Sequence, residues 1–265
     1  EEINFGRSFN VFESGLKSDN VDAPFGSIAE SDSLKQTLRF SINTTYICVM
    51  SISKNNNRKV AEFLLRIQAV QLSPEKPFKW ASGRNSPIYC DNRRILSHPE
   101  IRTSIRKIAS AMIIDRFGLP DAIAGVATGG IALGALIAQE LKIPFIYVRA
   151  SAKSHGTGQR IEGDYSNFNN VFVIEDLIST GKSSLSAVDA IREAGLEVVG
   201  LLAFFTYGFP DAVERFEQKR CPFFTLTDYP TMLEVATESN YITEDQKSQL
   251  YSWTIDPVAW SDKQL

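Results

Sequence analysis

Chemistry in this chain gathers at two adjacent carboxylates, Glu175 and Asp176, followed within a few residues by Ser179-Thr180-Gly181-Lys182-Ser183. A short loop of Ser, Thr and Gly lets backbone N–H groups converge on one point. A helix starting there would add the positive end of its dipole, so the loop suits a phosphate monoester. The carboxylates just upstream would repel that phosphate. They suit hydroxyl donors and a carbon that becomes positive during reaction. A ribose 5-phosphate meets both demands, with a phosphate, vicinal hydroxyls, and an anomeric carbon whose substitution passes through an oxocarbenium-like state. An ordinary strand-to-helix turn with solvated acids would show the same order of residues.

The elements that must position these groups lie on either side. Val171 to Ile174 is an unbroken apolar run that reads as a buried central strand with the acids at its end. Beyond the loop, Leu185, Val188 and Ile191 recur at helical spacing with Ala187, Ala190 and Ala194 beside them, and Gly195 is placed to end the helix. Strand, acid pair, small-residue loop and helix are the parts with which an open parallel sheet presents a ligand at the carboxyl end of a strand. The string from Val173 to Gly181, Val-Ile-Glu-Asp-Leu-Ile-Ser-Thr-Gly, resembles the phosphoribosyl pyrophosphate (PRPP) signature of the type I phosphoribosyltransferases. The resemblance implies an α/β fold with a central, mostly parallel sheet flanked by helices and a small N-terminal hood. It also implies PRPP binding by Glu175, Asp176, Leu177, Ile178, Ser179, Thr180, Gly181, Lys182 and Ser183.

Composition sets the frame. The 265 residues are 43% hydrophobic and 22% charged, ordinary for a globular chain with material for a core. A net charge of −3 without a Lys/Arg-rich run argues against nucleic-acid binding, so a polyanionic substrate needs a local basic cluster. Cys48, Cys90 and Cys221 are far apart with no CxxC, which fits a reducing, cytoplasmic setting and no zinc ribbon or disulfide framework. No apolar run is long enough to span a bilayer.

Residues 1–57 are rich in Gly, Ser, Asn and Asp, lack a sustained hydrophobic period and close on Asn55-Asn56-Asn57. They are expected to be a disordered leader or upstream extension, with residues 1–49 dispensable. Tyr46 to Ile52 is too short an apolar core for a signal peptide. A single domain is expected over 58–265, with the hood over about 58–97, the core over about 98–265 and no fused second domain. Val60, Phe63, Leu64 and Ile67 give an amphipathic helix from Lys59 to Val70. Phe78 to Arg94 reads as one hairpin, turning at Ser82-Gly83-Arg84, with polar residues ending its second strand. Ser97 and Glu100 read as a capping box for a helix that runs to Phe117, with Gly118 as its stop and His98 as a structural residue. Ile123 to Ala127 and Phe145 to Val148 read as strands. A Gly pair in Thr128-Gly129-Gly130 lets an anion approach the start of the helix to Leu141. Val198 to Phe205 and Phe223 to Leu226 are the remaining strands, and a Thr243–Gln246 capping box opens a late helix.

Between Arg149 and Gly163 lies a long loop with three glycines and little apolar anchorage, expected to be mobile. Arg149, Lys153, His155 and Arg160 supply the basic cluster that the overall charge lacks. The spacing Lys153-Ser154-His155-Gly156-Thr157-Gly158, together with Trp80-Ala81-Ser82-Gly83 and Tyr89-Cys90-Asp91-Asn92-Arg93, resembles orotate phosphoribosyltransferase. That resemblance implies transfer of the phosphoribosyl group from PRPP to N1 of orotate, yielding orotidine 5′-monophosphate and pyrophosphate in UMP biosynthesis. Lys153, His155 and Asp176 would be catalytic. Arg149, Lys153, His155, Thr128 and Gly129 would join the PRPP site. Ser179, Tyr89, Arg93 and Tyr207 would meet orotate. Mg²⁺ would be held mainly by substrate and water, and a homodimer would share loop 150–163 across its interface.

Several positions depart from the family's pattern. Ala81 and Ala150 stand where many members have basic residues, Tyr207 where some have Arg, and Lys182 at a usual Gly. Arg93, Arg94 or backbone amides are therefore expected to take the orotate carboxylate, and Lys182 requires a negative φ. A phosphoribosyltransferase for another base would share the acid pair but lack the Lys-x-His-Gly loop. A PRPP-sensing regulator would bind without turnover.

Overall fold

A computed structural model of the chain describes residues 54–80, 83–151 and 159–262. Its hood region comprises α1 (Lys54–Arg66), β1 (Val70–Leu72), β2 (Phe78–Lys79), β3 (Asn85–Ser86), β4 (Ile88–Cys90) and a 3-10 turn (Asn92–Ser97). The core follows as α2 (Pro99–Phe117), β5 (Ala122–Val126), α3 (Gly129–Leu141), β6 (Phe145–Val148), β7 (Ile161–Glu162), β8 (Asn170–Ile178) and α4 (Lys182–Glu193). It continues through β9 (Glu197–Thr206), α5 (Pro210–Gln218), β10 (Phe223–Asp228), α6 (Tyr229–Glu238), α7 (Glu244–Ile255) and α8 (Pro257–Asp262).

Six strands form the central sheet in the order β10-β9-β8-β5-β6-β7, all parallel except β7 at the edge. Strands β5, β8 and β9 are nearly continuous apolar runs because helices cover both faces. One face packs Phe172, Ile174 and Leu202 against Val60 and Leu64 of α1, Ile113 of α2, Ile137 of α3 and Met232 of α6. The other packs Val171, Val173 and Ala203 against Leu185, Val188 and Ile191 of α4 and Phe216 of α5. After β5 the chain adds β6 on one side, and β8 and β9 then add on the other. The switch point is the crevice between β5 and β8, where an open parallel sheet binds ligand.

Four sequence expectations change. Strand β8 does not stop at Ile174: its ladder with β9 continues through Glu175↔Ala203 to Ile178↔Thr206, so the acids lie inside the strand. The Asn55–Asn57 run belongs to α1, whose buried Val60, Ala61 and Leu64 anchor a helix that extends back to Lys54. The expected single hairpin is two sheets, because Pro87 offers no N–H and the strand breaks there: β3 pairs with β2, and β4 pairs with β1. Ser97 is not a cap. It ends the 3-10 turn, and His98 is the N-cap of α2 without a side-chain bond, its carbonyl accepting from Arg102 N at 2.8 Å. The Thr243–Gln246 capping box is present as read. No helix among the described residues is long and apolar enough to cross a membrane. Residues 1–53, with the expected leader, lie outside the described residues.

Candidate active site

The crevice is built first from backbone. Helix α3 starts after β5 and α4 after β8, and neither Thr128 nor Gly181, their N-caps, makes a side-chain capping bond. Two sets of unpaired helix-terminal N–H groups therefore face the ends of neighbouring strands, each a ready anion site. Gly129 is required at the first of them, since a Cβ there would strike the Asp176 carboxylate. Gly181 is required at the second: its φ is +75°, and a Cβ would sit 2.8 Å from the Phe216 ring of α5. Arg215 of α5 also donates through Nη1 to the Thr180 carbonyl at 3.0 Å, so α5 braces the phosphate loop. Lys182 is exposed and is the first residue of α4, with no positive φ, which meets the condition placed on it.

The two acids part company. Glu175 is buried at 4% exposure, with Oε2 accepting from Ser184 Oγ at 2.9 Å and Oε1 from the Asp176 N–H at 3.1 Å. Burial, then the neighbouring Asp176, pushes its carboxyl well above 4.5, while the Ser184 hydroxyl and the Asp176 N–H pull the other way. Glu175 props the loop through Ser184, and half-buried Asp176 is the carboxylate beside Gly129 at the crevice. Leu177 and Ile178 contribute backbone, not side chains. Leu177 packs on the core and Ile178 is buried, its carbonyl accepting from Thr206 Oγ1 at 3.0 Å. Ser179 is half-buried, whereas Thr180 and Ser183 are exposed.

Above β8 and β9 the site is built from side chains. A cavity of about 340 Å³ is walled by Trp80, Arg84, Ser179, Thr180, Phe209 and Trp253. Tyr207 is buried beside it, its ring centroid 5.5 Å from Trp80, 5.5 Å from Trp253 and 5.6 Å from Phe209. Such tilted and edge-on pairs make a stiff apolar wall. Burial raises the Tyr207 phenol well above its ordinary value, so it stays un-ionised. Tyr89 is 40% exposed and packs against Phe78 at 5.7 Å. The Cys90 thiol is likewise pushed up by burial and then by Asp176 and Asp91, so it is not a nucleophile.

The arginines are redistributed. Arg93 is exposed and spends its guanidinium on Asp91, at 2.7 and 3.0 Å, while Arg94 Nε donates to the Ile67 carbonyl at 2.9 Å. Arg84 is the cation on the cavity wall among the described residues, a wall that also carries Asp211. Arg160 ties the β7 hairpin down, donating to the Arg149 carbonyl at 3.0 Å and to the Ser186 carbonyl at 3.0 Å, so it leaves the expected basic cluster. Arg149 follows β6 and lies 3.4 Å from Glu162 Oε1. Ile161 is buried and anchors the returning end of the loop. Lys153 and His155 lie outside the described residues.

Sequence reasoning missed Arg84, Trp253 and Asn92. Trp253 stands some 170 positions from Trp80 and carries no local signal of their meeting. Asn92 sits inside the Tyr89-Cys90-Asp91-Asn92-Arg93 string, where nothing in its type marks a contact with β8.

Helix N-termini at the β5–β8 switch point, one acid across the crevice and a hood above define a phosphoribosyltransferase. The family description "Phosphoribosyl transferase domain" matches residues 91–227. The chain is 50% identical over 207 residues to an orotate phosphoribosyltransferase of Bacteroides thetaiotaomicron, covering 78% of this chain and 98% of that one. A relative of the same name from Bacteroides fragilis is 49% identical over the same shares. The solved orotate phosphoribosyltransferase of Aeropyrum pernix superposes with a TM-score of 0.60 at 28% identity, over 69% of this chain and 99% of that one. The chain belongs to the orotate phosphoribosyltransferase family.

Proposed function

We propose that the protein transfers the 5-phosphoribosyl group of PRPP to N1 of orotate, giving orotidine 5′-monophosphate and pyrophosphate in de novo UMP biosynthesis. One arrangement carries the reading: the Asp176 carboxylate lies across the start of α3, one strand from the α4 phosphate loop and beneath the hood. The 5-phosphate takes the amides and hydroxyls of Ser179 to Ser183, with Lys182 adding charge. Pyrophosphate takes the start of α3 at Thr128 and Gly129, with Arg149, Lys153 and His155 as its cations and donors. Orotate enters the aromatic cavity between Ser179 and the Tyr89 hood, against Tyr207, and its carboxylate meets Arg84.

In the reaction N1, having lost its proton, bonds to the anomeric carbon as the bond to pyrophosphate oxygen breaks from the opposite face. Asp176 holds the ribose hydroxyls and favours the positive charge that develops on the ring. His155 donates to the leaving oxygen. Glu175 holds Ser184 of the phosphate loop's helix in place. Among the described residues no three His, Cys, Asp or Glu side chains are grouped to hold a metal. A Mg²⁺ ion, when bound, would be held mainly by substrate oxygens and water, with Asp176 the crevice carboxylate available to it, and would neutralise pyrophosphate charge. We place the protein in the cytoplasm as a homodimer that shares loop 150–163. Residues 1–49 are dispensable, so a chain begun at Met50 keeps its turnover.

The test follows orotate absorbance with PRPP and Mg²⁺, with hypoxanthine and adenine in parallel. The expected result is a fall with orotate alone that stops when PRPP is omitted. Turnover of a purine in place of orotate would overturn the reading.

A further inference from the structure

The Asp91-Asn92-Arg93-Arg94 string is tied down on two sides. On the hood side, the Asp91 N–H donates to the Ala69 carbonyl at 2.7 Å, and Arg94 Nε to the Ile67 carbonyl at 2.9 Å. On the core side, Asn92 Nδ2 donates to the backbone carbonyl of Asp176 at 2.6 Å, a bond spanning 84 residues of sequence. Asn92 is 1% exposed, and its Oδ1 is buried with no hydrogen-bond partner. A buried amide that leaves its acceptor unpaired is costly to keep. Its side chain also meets Cys90, and its bond across to the core goes to the residue whose carboxylate faces the crevice.

We infer that Asn92 is a positioning residue for the transfer reaction: it locks the catalytic end of β8 to the hood, so that Asp176 and the base pocket keep one fixed spacing. The inference rests on the proposed orotate reaction. Two substrates enter from the two halves, ribose on Asp176 and base under the hood, and their reacting atoms must meet in line. A displacement of about 1 Å at such a junction costs about 100-fold in rate. Asn92 Nδ2 is the side-chain donor the structure places between the halves at this point.

The test uses the full chain with Asn92→Asp, which keeps size and shape but swaps the donor for an acceptor facing the Asp176 carbonyl. A second variant, Asn92→Ala, removes the donor and the unpaired acceptor together. Both are scored by kcat, by the KM for each substrate and by thermal midpoint. The expected result is a kcat lowered about 10- to 100-fold in both, with the KM for PRPP changed far less. Asn92→Ala leaves the Asp176 carbonyl without this donor and so lowers the midpoint somewhat, and kcat is therefore scored per folded molecule. A purely structural residue would give the reverse pattern, a lowered midpoint with wild-type kcat per folded molecule, and that would overturn the inference. Wild-type turnover of orotate is the control: its absence would remove the proposed function and this inference with it, whereas wild-type kcat in a folded variant would remove the inference alone.

Discussion

The two halves of the site are made of different material. The half proposed for ribose and phosphate is largely backbone: helix N-termini, a glycine at positive φ and a glycine that yields its space to Asp176. The base half is side chain: four aromatic rings brought from the hood, the end of β9 and the C-terminal helices. A phosphate is the same in every reaction of this kind, and fixed N–H groups suit it. A base varies, and replaceable side chains suit that. The halves should therefore fail in different ways when damaged.

The largest effect is expected at the point where the backbone half presents its crevice carboxylate. Asp176→Asn should lower kcat by about 10²- to 10³-fold with the fold intact, read by steady-state kinetics beside circular dichroism. Gly129→Ala comes next, since its methyl must displace the Asp176 carboxylate; a loss of about 100-fold in kcat/KM for PRPP is expected. Trp80→Leu removes one aromatic wall and should raise the KM for orotate by about 2- to 10-fold while leaving the KM for PRPP alone. If Trp80→Leu moved both constants equally, the division into halves would be wrong.

The smallest effect concerns Glu175. A carboxyl whose value in the folded state is raised contributes its full stability below the ordinary 4.5 and loses it as pH climbs towards the raised value. Wild-type thermal midpoint should therefore decline relative to Glu175→Gln as pH rises above the ordinary 4.5, and the Gln profile should be flatter. Parallel profiles would place Glu175 in solvent-like surroundings after all.

The same division explains what could be read in the sequence. Backbone devices leave local signatures, so the acid pair, the Ser/Thr/Gly loop, the Gly129 turn and the order of strands were legible. Strand length was less so, because β8 runs on to Ile178 only by pairing with a β9 that extends as far. Side-chain assemblies leave no such trace. Trp80 and Trp253 meet edge-on at 5.9 Å from opposite ends of the domain, and nothing near either residue announces it. Arg93 looked free because its neighbour Asp91 was read as a strand-end polar residue and not as its partner. Asn92 was hidden for a related reason: its bond is to a backbone carbonyl, which any sequence would offer.

Calorimetric titration of Mg²⁺–PRPP into wild type, Trp80→Leu and Gly129→Ala tests the two-part site most directly. The account predicts wild-type affinity in Trp80→Leu and affinity weakened by up to about 100-fold in Gly129→Ala. Equal loss in both variants would contradict it, because PRPP would then depend on the aromatic half as much as on the backbone crevice.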